Sequence, residues 1–307
     1  MSSSEAACSR RAFLGLIAGL SMQAWSRGAR ADESACATLR RAIPKTGEAL
    51  PAIGLGTWQG LSRANVDVAR RIVARFVELG GQLIDTAPMY GDAESAIGEV
   101  VRALDVRDRL FLATKVLSTG REEGRAQMRE SFDYLGVTRL DLMQVHNLVD
   151  WRTQLQTLTE LRTAGTVRYV GVTHYLAGAH AQLEGIVKDE DVDFVQVNYN
   201  IAVRDAEKRL LPLAAERGVA VIINRPFEEG ALFARVRGRE LPPWAGEIGC
   251  TSFAQIFLKY ILGNPAVTVA IPGTDKLDHL EDNMAAACGA PPDAAMRKRM
   301  ADWFDAL

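Results

Sequence analysis

The sequence predicts an α/β chain of the (β/α)8 class, with parallel strands closed into a barrel and a β-hairpin across its bottom. Three observations carry this. Eight short runs rich in apolar and β-branched residues recur at 52–57, 82–86, 110–115, 141–146, 167–172, 193–198, 219–223 and 267–271. Longer stretches with helical periodicity lie between them, the alternation expected of a TIM barrel. No low-complexity linker or break in composition divides residues 40 to 307, so one domain is expected there.

The first residues stand apart. Ser9-Arg10-Arg11-Ala12-Phe13-Leu14-Gly15 places paired arginines before a weakly apolar stretch that runs to Met22. That stretch is too short for a bilayer, which takes ~20 apolar residues. Ala29-Arg30-Ala31 then offers an A-x-A cleavage site. The order resembles a bacterial twin-arginine (Tat) signal peptide, with Gly15 where a basic residue is usual. The expected division is a signal peptide at 1–31 and a barrel domain at 32–307, exported to the periplasm by the Tat machinery. Removing the leader's net +3 takes the formal charge from −2 to −5.

Residues 41–51 hold a Thr46-Gly47 turn between two short extended pieces and predict the hairpin. Between the first two runs, Val66, Ala69, Ile72, Val73 and Phe76 form an i, i+3, i+4 stripe within 64–79, stopped by Gly80-Gly81. The stretch 254–262 is similar and ends at Gly263-Asn264-Pro265. The competing architecture is an open doubly wound sheet. It would open on a GxGxxG turn, and Gly54-Leu55-Gly56-Thr57-Trp58-Gln59 lacks the third glycine.

Composition narrows the class. With 48% hydrophobic and 24% charged residues, the chain is neither disordered nor collagen-like. A net charge of −2 argues against a nucleic-acid-binding module. Cys8, Cys36, Cys250 and Cys288 form no CxxC pair, which excludes zinc-ribbon and thioredoxin readings, and no metal site is expected.

In a barrel, functional side chains sit at the C-terminal ends of the strands. Three consecutive runs end there in Asp85, Lys115 and His146, and Tyr90 follows Asp85 by five residues. A lysine ending an apolar strand is costly unless paired, and Asp85 is the neighbouring partner. A tyrosine beside that ammonium is expected to have its phenol pKa lowered from ~10, making it a usable proton donor. His146 would orient a carbonyl or relay the proton.

Gly54-x-Gly56-Thr57, Asp85-Thr86-Ala87-x-x-Tyr90-Gly91, Thr114-Lys115 and Gln144-x-His146 together resemble the aldo-keto reductase family, over residues 40 to 290 or so. The resemblance implies a barrel that reduces aldehydes and ketones with NAD(P)H. Tyr90 would be the general acid, Lys115 its partner, Asp85 the counter-ion of Lys115 and His146 the carbonyl-orienting residue. Gly56 and Thr57 would line the cofactor. The positions that hold the nicotinamide amide in the family are Thr173, His174 and Gln196 here, with Thr for Ser and His for Asn. The family's stacking aromatic is replaced by Asn224, followed by Arg225, Pro226 and Phe227, and Phe227 is the candidate replacement ring.

At the adenine end the family register is intact in Gly273, Thr274, Lys276, His279, Asp282 and Asn283, with glycine and histidine replacing two cations. Thr274 and Lys276 keep a 2′-phosphate site, so NADP is favoured and NAD possible. Trp58, Met89, Leu117, Asn147 and Leu148 follow strand ends and would line the pocket for a small-molecule carbonyl. Trp151 and Trp244 lie near such loops or in the core, and 227–247 reads as a loop insertion. No stable membrane span is expected, and a monomer is. The altered nicotinamide contacts admit an alternative, an exported NADP-binding sensor or subunit with little turnover.

Overall fold

The computed structural model describes residues 38–307. The predicted signal peptide at 1–31, its cut after Ala31, Cys8 and Cys36 lie outside the described residues. Among those described, Cys250 is a buried free thiol and Cys288 is disulfide-bonded.

The hairpin comes first. Strands β1 (Arg40–Ala42) and β2 (Ala49–Pro51) pair antiparallel, Arg41 opposite Leu50, and Gly47 takes the turn at φ +75. That left-handed conformation suits glycine, which has no Cβ to clash. Then strands and helices alternate: β3 (Leu55–Gly56), α1 (Val66–Glu78), β4 (Leu83–Asp85), α2 (Ala93–Leu104), β5 (Phe111–Val116), α3 (Arg121–Leu135) and β6 (Leu140–His146). The series continues with α4 (Trp151–Thr163), β7 (Val167–His174), α5 (His180–Asp189), β8 (Phe194–Asn198), α6 (Leu210–Glu216) and β9 (Ala220–Asn224). After them come α7 (Ala231–Arg235), α8 (Phe253–Leu262), β10 (Val269–Ala270), α9 (Leu277–Ala285) and α10 (Ala294–Asp305).

Strands β3 to β10 form one parallel sheet in sequence order. The sheet closes on itself: Ile53 bridges Ala270, Gly56 bridges Gly273, and the Gly54 N–H donates to the Ala270 carbonyl at 2.8 Å. A Cβ on Gly56 would come within 2.9 Å of the Ile271 carbonyl oxygen, so the seam needs glycine at this position.

Strand alternation sorts the side chains. Leu83, Phe111, Leu142, Phe194, Ile222 and Val269 point into the lower barrel and cluster with Ile43 and Leu50 of the hairpin region. The hairpin thus plugs the N-terminal mouth, as the sequence predicts. Residues of the opposite parity, among them Ile84, Leu112, Met143, Val145, Val195 and Val221, pack outward against the helices in a second cluster.

The segment 227–247 is ordered. It carries α7, and a 3-10 turn at Pro243–Ile248 follows. Trp244 is buried edge-on to Trp303 at 5.6 Å, and Trp151 packs against the core, so both serve packing. Among the described residues no helix is long and apolar enough to cross a membrane.

Candidate active site

Two to four residues beyond the lower apolar layer, the same inward parity turns polar. Asp85 on β4, Lys115 on β5, Gln144 and His146 on β6, Thr173 on β7 and Gln196 on β8 are all buried, and Asn224 on β9 is half-buried. The parallel register sets Lys115 opposite Gln144, His146 opposite Thr173, and Thr173 opposite Gln196. Strands β4 to β9 therefore bring side chains from residue 85 to residue 224 to one mouth.

Lys115 is wholly buried. Its Nζ donates to Asp85 Oδ2 at 2.5 Å and to the Thr86 carbonyl at 2.8 Å. Burial alone pushes its pKa down, but the Asp85 carboxylate, aided by Tyr90, more than offsets this, and the net direction is up. The lysine is held as an ammonium. That ammonium lies 4.8 Å from the centre of the Tyr90 ring, and the His146 ring meets Tyr90 edge-on at 5.9 Å. The four residues the sequence singles out are thus brought together.

One expectation is corrected. The Tyr90 phenol pKa is raised, not lowered: burial pushes it up, Lys115 pulls it down, and burial wins with help from the Asp85 charge. The phenol is therefore protonated at neutral pH, the state an acid needs to donate. His146 goes the other way. Burial and the nearby Lys115 charge hold its pKa down at about 3, so it presents a neutral imidazole.

A hydrogen-bond chain continues across the mouth. Gln196 Nε2 donates to Asp85 Oδ1 at 2.8 Å, while Gln196 Oε1 accepts from Thr173 Oγ1 at 3.2 Å and Asn224 Nδ2 at 3.4 Å. Three buried polar atoms here have no partner within the described residues: Thr57 Oγ1, His146 Nδ1 and Asn224 Oδ1. Such atoms cost ~1–3 kcal/mol each unless satisfied, and a polar ligand seated at the mouth would satisfy them. Backbone strain gathers at the same end. Among the described residues, all but one of the non-glycine positions at positive φ lie in the loops after β3, β6 and β9, including Gln59, Asn147, Leu148 and Arg225.

The remaining predicted residues fall into groups. His174 is half-buried at the end of β7, stacked on Tyr175 at 5.5 Å, and its Nδ1 accepts from the Leu176 N–H at 3.1 Å. Burial lowers its pKa as well, leaving Nε2–H as the free donor. Arg225 pairs with Glu228 at 3.2 Å and Glu229 at 2.9 Å, and Pro226 beside it is buried. Phe227 is half-buried, and the ring it packs on is Phe233, at 5.0 Å.

Gly273, Lys276 and His279 are exposed, and Thr274 is buried, its Oγ1 accepting from the Lys276 N–H at 3.1 Å. Asp282 is committed to Ser252 and Gln255 at the start of α8, both at 2.6 Å, and Asn283 is buried beside it. Trp58 and Met89 are exposed apolar side chains in the loops after β3 and β4; Leu117 and Asn147 are half-buried, and Leu148 is buried.

Two buried polar groups near the site carry roles that sequence reading does not assign: Glu94, and Gln144, which it quotes only as part of a motif. Glu94 on α2 accepts from Thr114 Oγ1 at 2.5 Å behind the barrel wall. Gln144 joins the Asp85 network, and its signal is its parity with His146 in an otherwise apolar run.

A model of the Aldo/keto reductase family matches residues 52–296. An uncharacterized oxidoreductase of Schizosaccharomyces pombe is 30% identical over 255 residues, covering 78% of this chain and 79% of that one. The methylglyoxal reductase YeaE of Escherichia coli is 27% identical over 246 residues, covering 77% and 85%. Among solved structures, an aldo-keto reductase from Klebsiella pneumoniae in complex with NADPH is similar with a TM-score of 0.73 at 24% identity, covering 88% and 95%.

Proposed function

Because the chain belongs to the aldo/keto reductase family, we propose that it is an NADP(H)-dependent oxidoreductase that reduces an aldehyde or ketone, with Tyr90 as general acid. The observation that carries this is the buried ion pair of Lys115 and Asp85, its ammonium 4.8 Å from the Tyr90 ring, with His146 edge-on to the same ring. NADPH, when bound, supplies the hydride.

The chain's own residues do the rest. Thr173, His174, Gln196 and Asn224 would hold the nicotinamide amide, and the unpartnered Thr57 and Asn224 oxygens fit a polar ligand there. Gly56 shapes the same wall. Arg225 and Pro226 would border the cofactor's middle. Thr274 and Lys276, with Gly273, His279, Asp282 and Asn283 around them, would receive the adenosine end. One exposed lysine in this group favours NADP over NAD. Trp58, Met89, Leu117 and Asn147 would line an apolar substrate pocket.

His146, neutral down to a pH of about 3, orients the carbonyl with an N–H. Tyr90 donates its proton to the oxygen as negative charge develops there. The Lys115 ammonium stabilises the phenolate that remains, and Asp85 keeps that ammonium in place. Relatives named a methylglyoxal reductase and a pyridoxal 4-dehydrogenase act, by their names, on carbonyl compounds, which supports this substrate class. The buried Asp85–Lys115 pair beside Tyr90 and His146 favours turnover over a binding-only sensor, the alternative that the altered nicotinamide contacts admit.

Oxidation of NADPH with a panel of aldehydes tests the reading. Tyr90→Phe is expected to lower turnover ~10²–10⁴-fold while cofactor affinity, read by fluorescence titration, stays unchanged. Full turnover in that variant would assign the acid elsewhere. We further propose export, motivated by Arg10-Arg11 and Ala29-Arg30-Ala31 and supported by the disulfide at Cys288, since disulfides persist in oxidising compartments. Fractionation checks it: a mature chain starting at Asp32 in the periplasm is expected, and an intact Met1 in the cytosol refutes it.

A further inference from the structure

Asp85 is held from three sides. Its Oδ2 takes Lys115, and its Oδ1 takes the amide of Gln196 at 2.8 Å and the amide of Gln144 at 3.2 Å. Gln144 is fully buried beneath the mouth, directly across the β5–β6 pairing from Lys115. Leu142, two residues earlier on the same inward face, belongs to the apolar lower cluster. Gln144 is therefore the first polar residue of its strand on that face, at a depth where a leucine would fill the barrel.

The barrel makes room for it. Across the β6–β7 pairing Gln144 faces Gly171, where a Cβ would come within 3.3 Å of Gln144 Cγ and 2.7 Å of the Phe194 carbonyl oxygen. A buried amide costs free energy unless its polar atoms are used. The Gln144 amide donates to Asp85, and its Oε1 accepts from Gln196 at 3.4 Å.

We propose that Gln144 is a positioning residue for the proton-transfer pair: it fixes the Asp85 carboxylate so that Oδ2 aims Lys115 at Tyr90, and it draws part of the carboxylate's charge to Oδ1. This sets the pH range over which Tyr90 gives up its proton, and it rests on the reading of Tyr90 as the acid. The sign follows from the charges. Asp85 pushes the Tyr90 pKa up and Lys115 pulls it down. Without Gln144, Asp85 leans harder on Lys115 and exposes more charge to Tyr90. Both effects raise the Tyr90 pKa.

Gln144→Leu keeps the volume and removes the amide. The full chain loaded with NADPH is assayed for reduction of 4-nitrobenzaldehyde across pH, and Tyr90 ionisation is read separately as the phenolate absorbance that disappears in Tyr90→Phe. Gln144→Leu is expected to move both the alkaline limb of turnover and the phenolate titration upward by about half a pH unit or more. In an Asp85→Asn background the same substitution is expected to move neither, because the effect passes through the carboxylate. An unmoved phenolate titration with only a lower melting temperature overturns the proposal and makes Gln144 a packing residue. A shift that persists with Asp85→Asn also overturns it. If the parent chain does not reduce the aldehyde, the reading of the reaction is at fault, and the phenolate titration still decides the role of Gln144.

Discussion

The two levels of the barrel interior use the same strands for opposite ends. Below, Leu83, Phe111, Leu142, Phe194 and Ile222 pack with Ile43 and Leu50 into an apolar layer. Above, two residues further along the same strands (four from Phe111 to Lys115), Asp85, Lys115, Gln144 and Gln196 are as deeply buried and all polar. The lower layer gains free energy from apolar burial, roughly 25 cal/mol per Å². The upper layer has to offset desolvation with hydrogen bonds before it contributes anything. Stability and chemistry are therefore separable by depth, and substitutions at the two levels should fail in different ways.

The largest effect belongs to the upper layer. Lys115→Met strips the ammonium from a buried carboxylate and should cost ~3–5 kcal/mol of stability as well as ~10²–10⁴-fold in turnover. Lys115→Met with Asp85→Asn removes both charges. The amide oxygen then standing in place of the carboxylate would still accept from Gln144 and Gln196, so most of the lost stability should return while turnover does not. Denaturant melts alongside the reductase assay read the pair. A double variant as unstable as the single one would mean that packing around the lysine stem, and not the orphaned charge, is what the single variant loses.

At the lower layer the order reverses. Leu50 is 1% exposed and sits in the plug. Leu50→Ala should destabilise the fold by ~2–5 kcal/mol through the cavity it leaves, with turnover per folded molecule unchanged. A fall in turnover at temperatures where the variant is fully folded would show that the plug communicates with the mouth, and the separation by depth would fail.

The barrel is legible in the sequence because short apolar, β-branched runs alternate with helical stripes and the alternation repeats, which averages out local errors. Asp85, Lys115 and His146 are legible because polar, titratable groups at the ends of apolar strands stand out. Gln144 is harder to see, since a neutral amide inside a run does not break the apolar pattern, and its role depends on which side chain lies across the sheet. The direction of the Tyr90 shift is not readable at all: sequence places a cation nearby but gives no measure of how much water the ring loses, and here that loss decides the sign. The same holds for Phe227, whose proximity in sequence suggests a stacking ring and whose partner is Phe233.

The smallest effect tests whether the mouth lacks what that ring would have given. Asn224 is half-buried where the family resemblance leads one to expect an aromatic, with one long hydrogen bond to Gln196 at 3.4 Å and an unpartnered Oδ1. Asn224→Tyr gives up that long bond and offers a ring face worth ~0.5–1.5 kcal/mol beyond area burial. NADPH affinity should then rise about two- to tenfold, measured by fluorescence titration of the full chain. Weaker binding would mean that the Asn224 oxygen is itself a cofactor contact, and the upper layer would then have exchanged a stacking surface for a hydrogen bond, extending to the ligand the polar logic by which it holds Asp85.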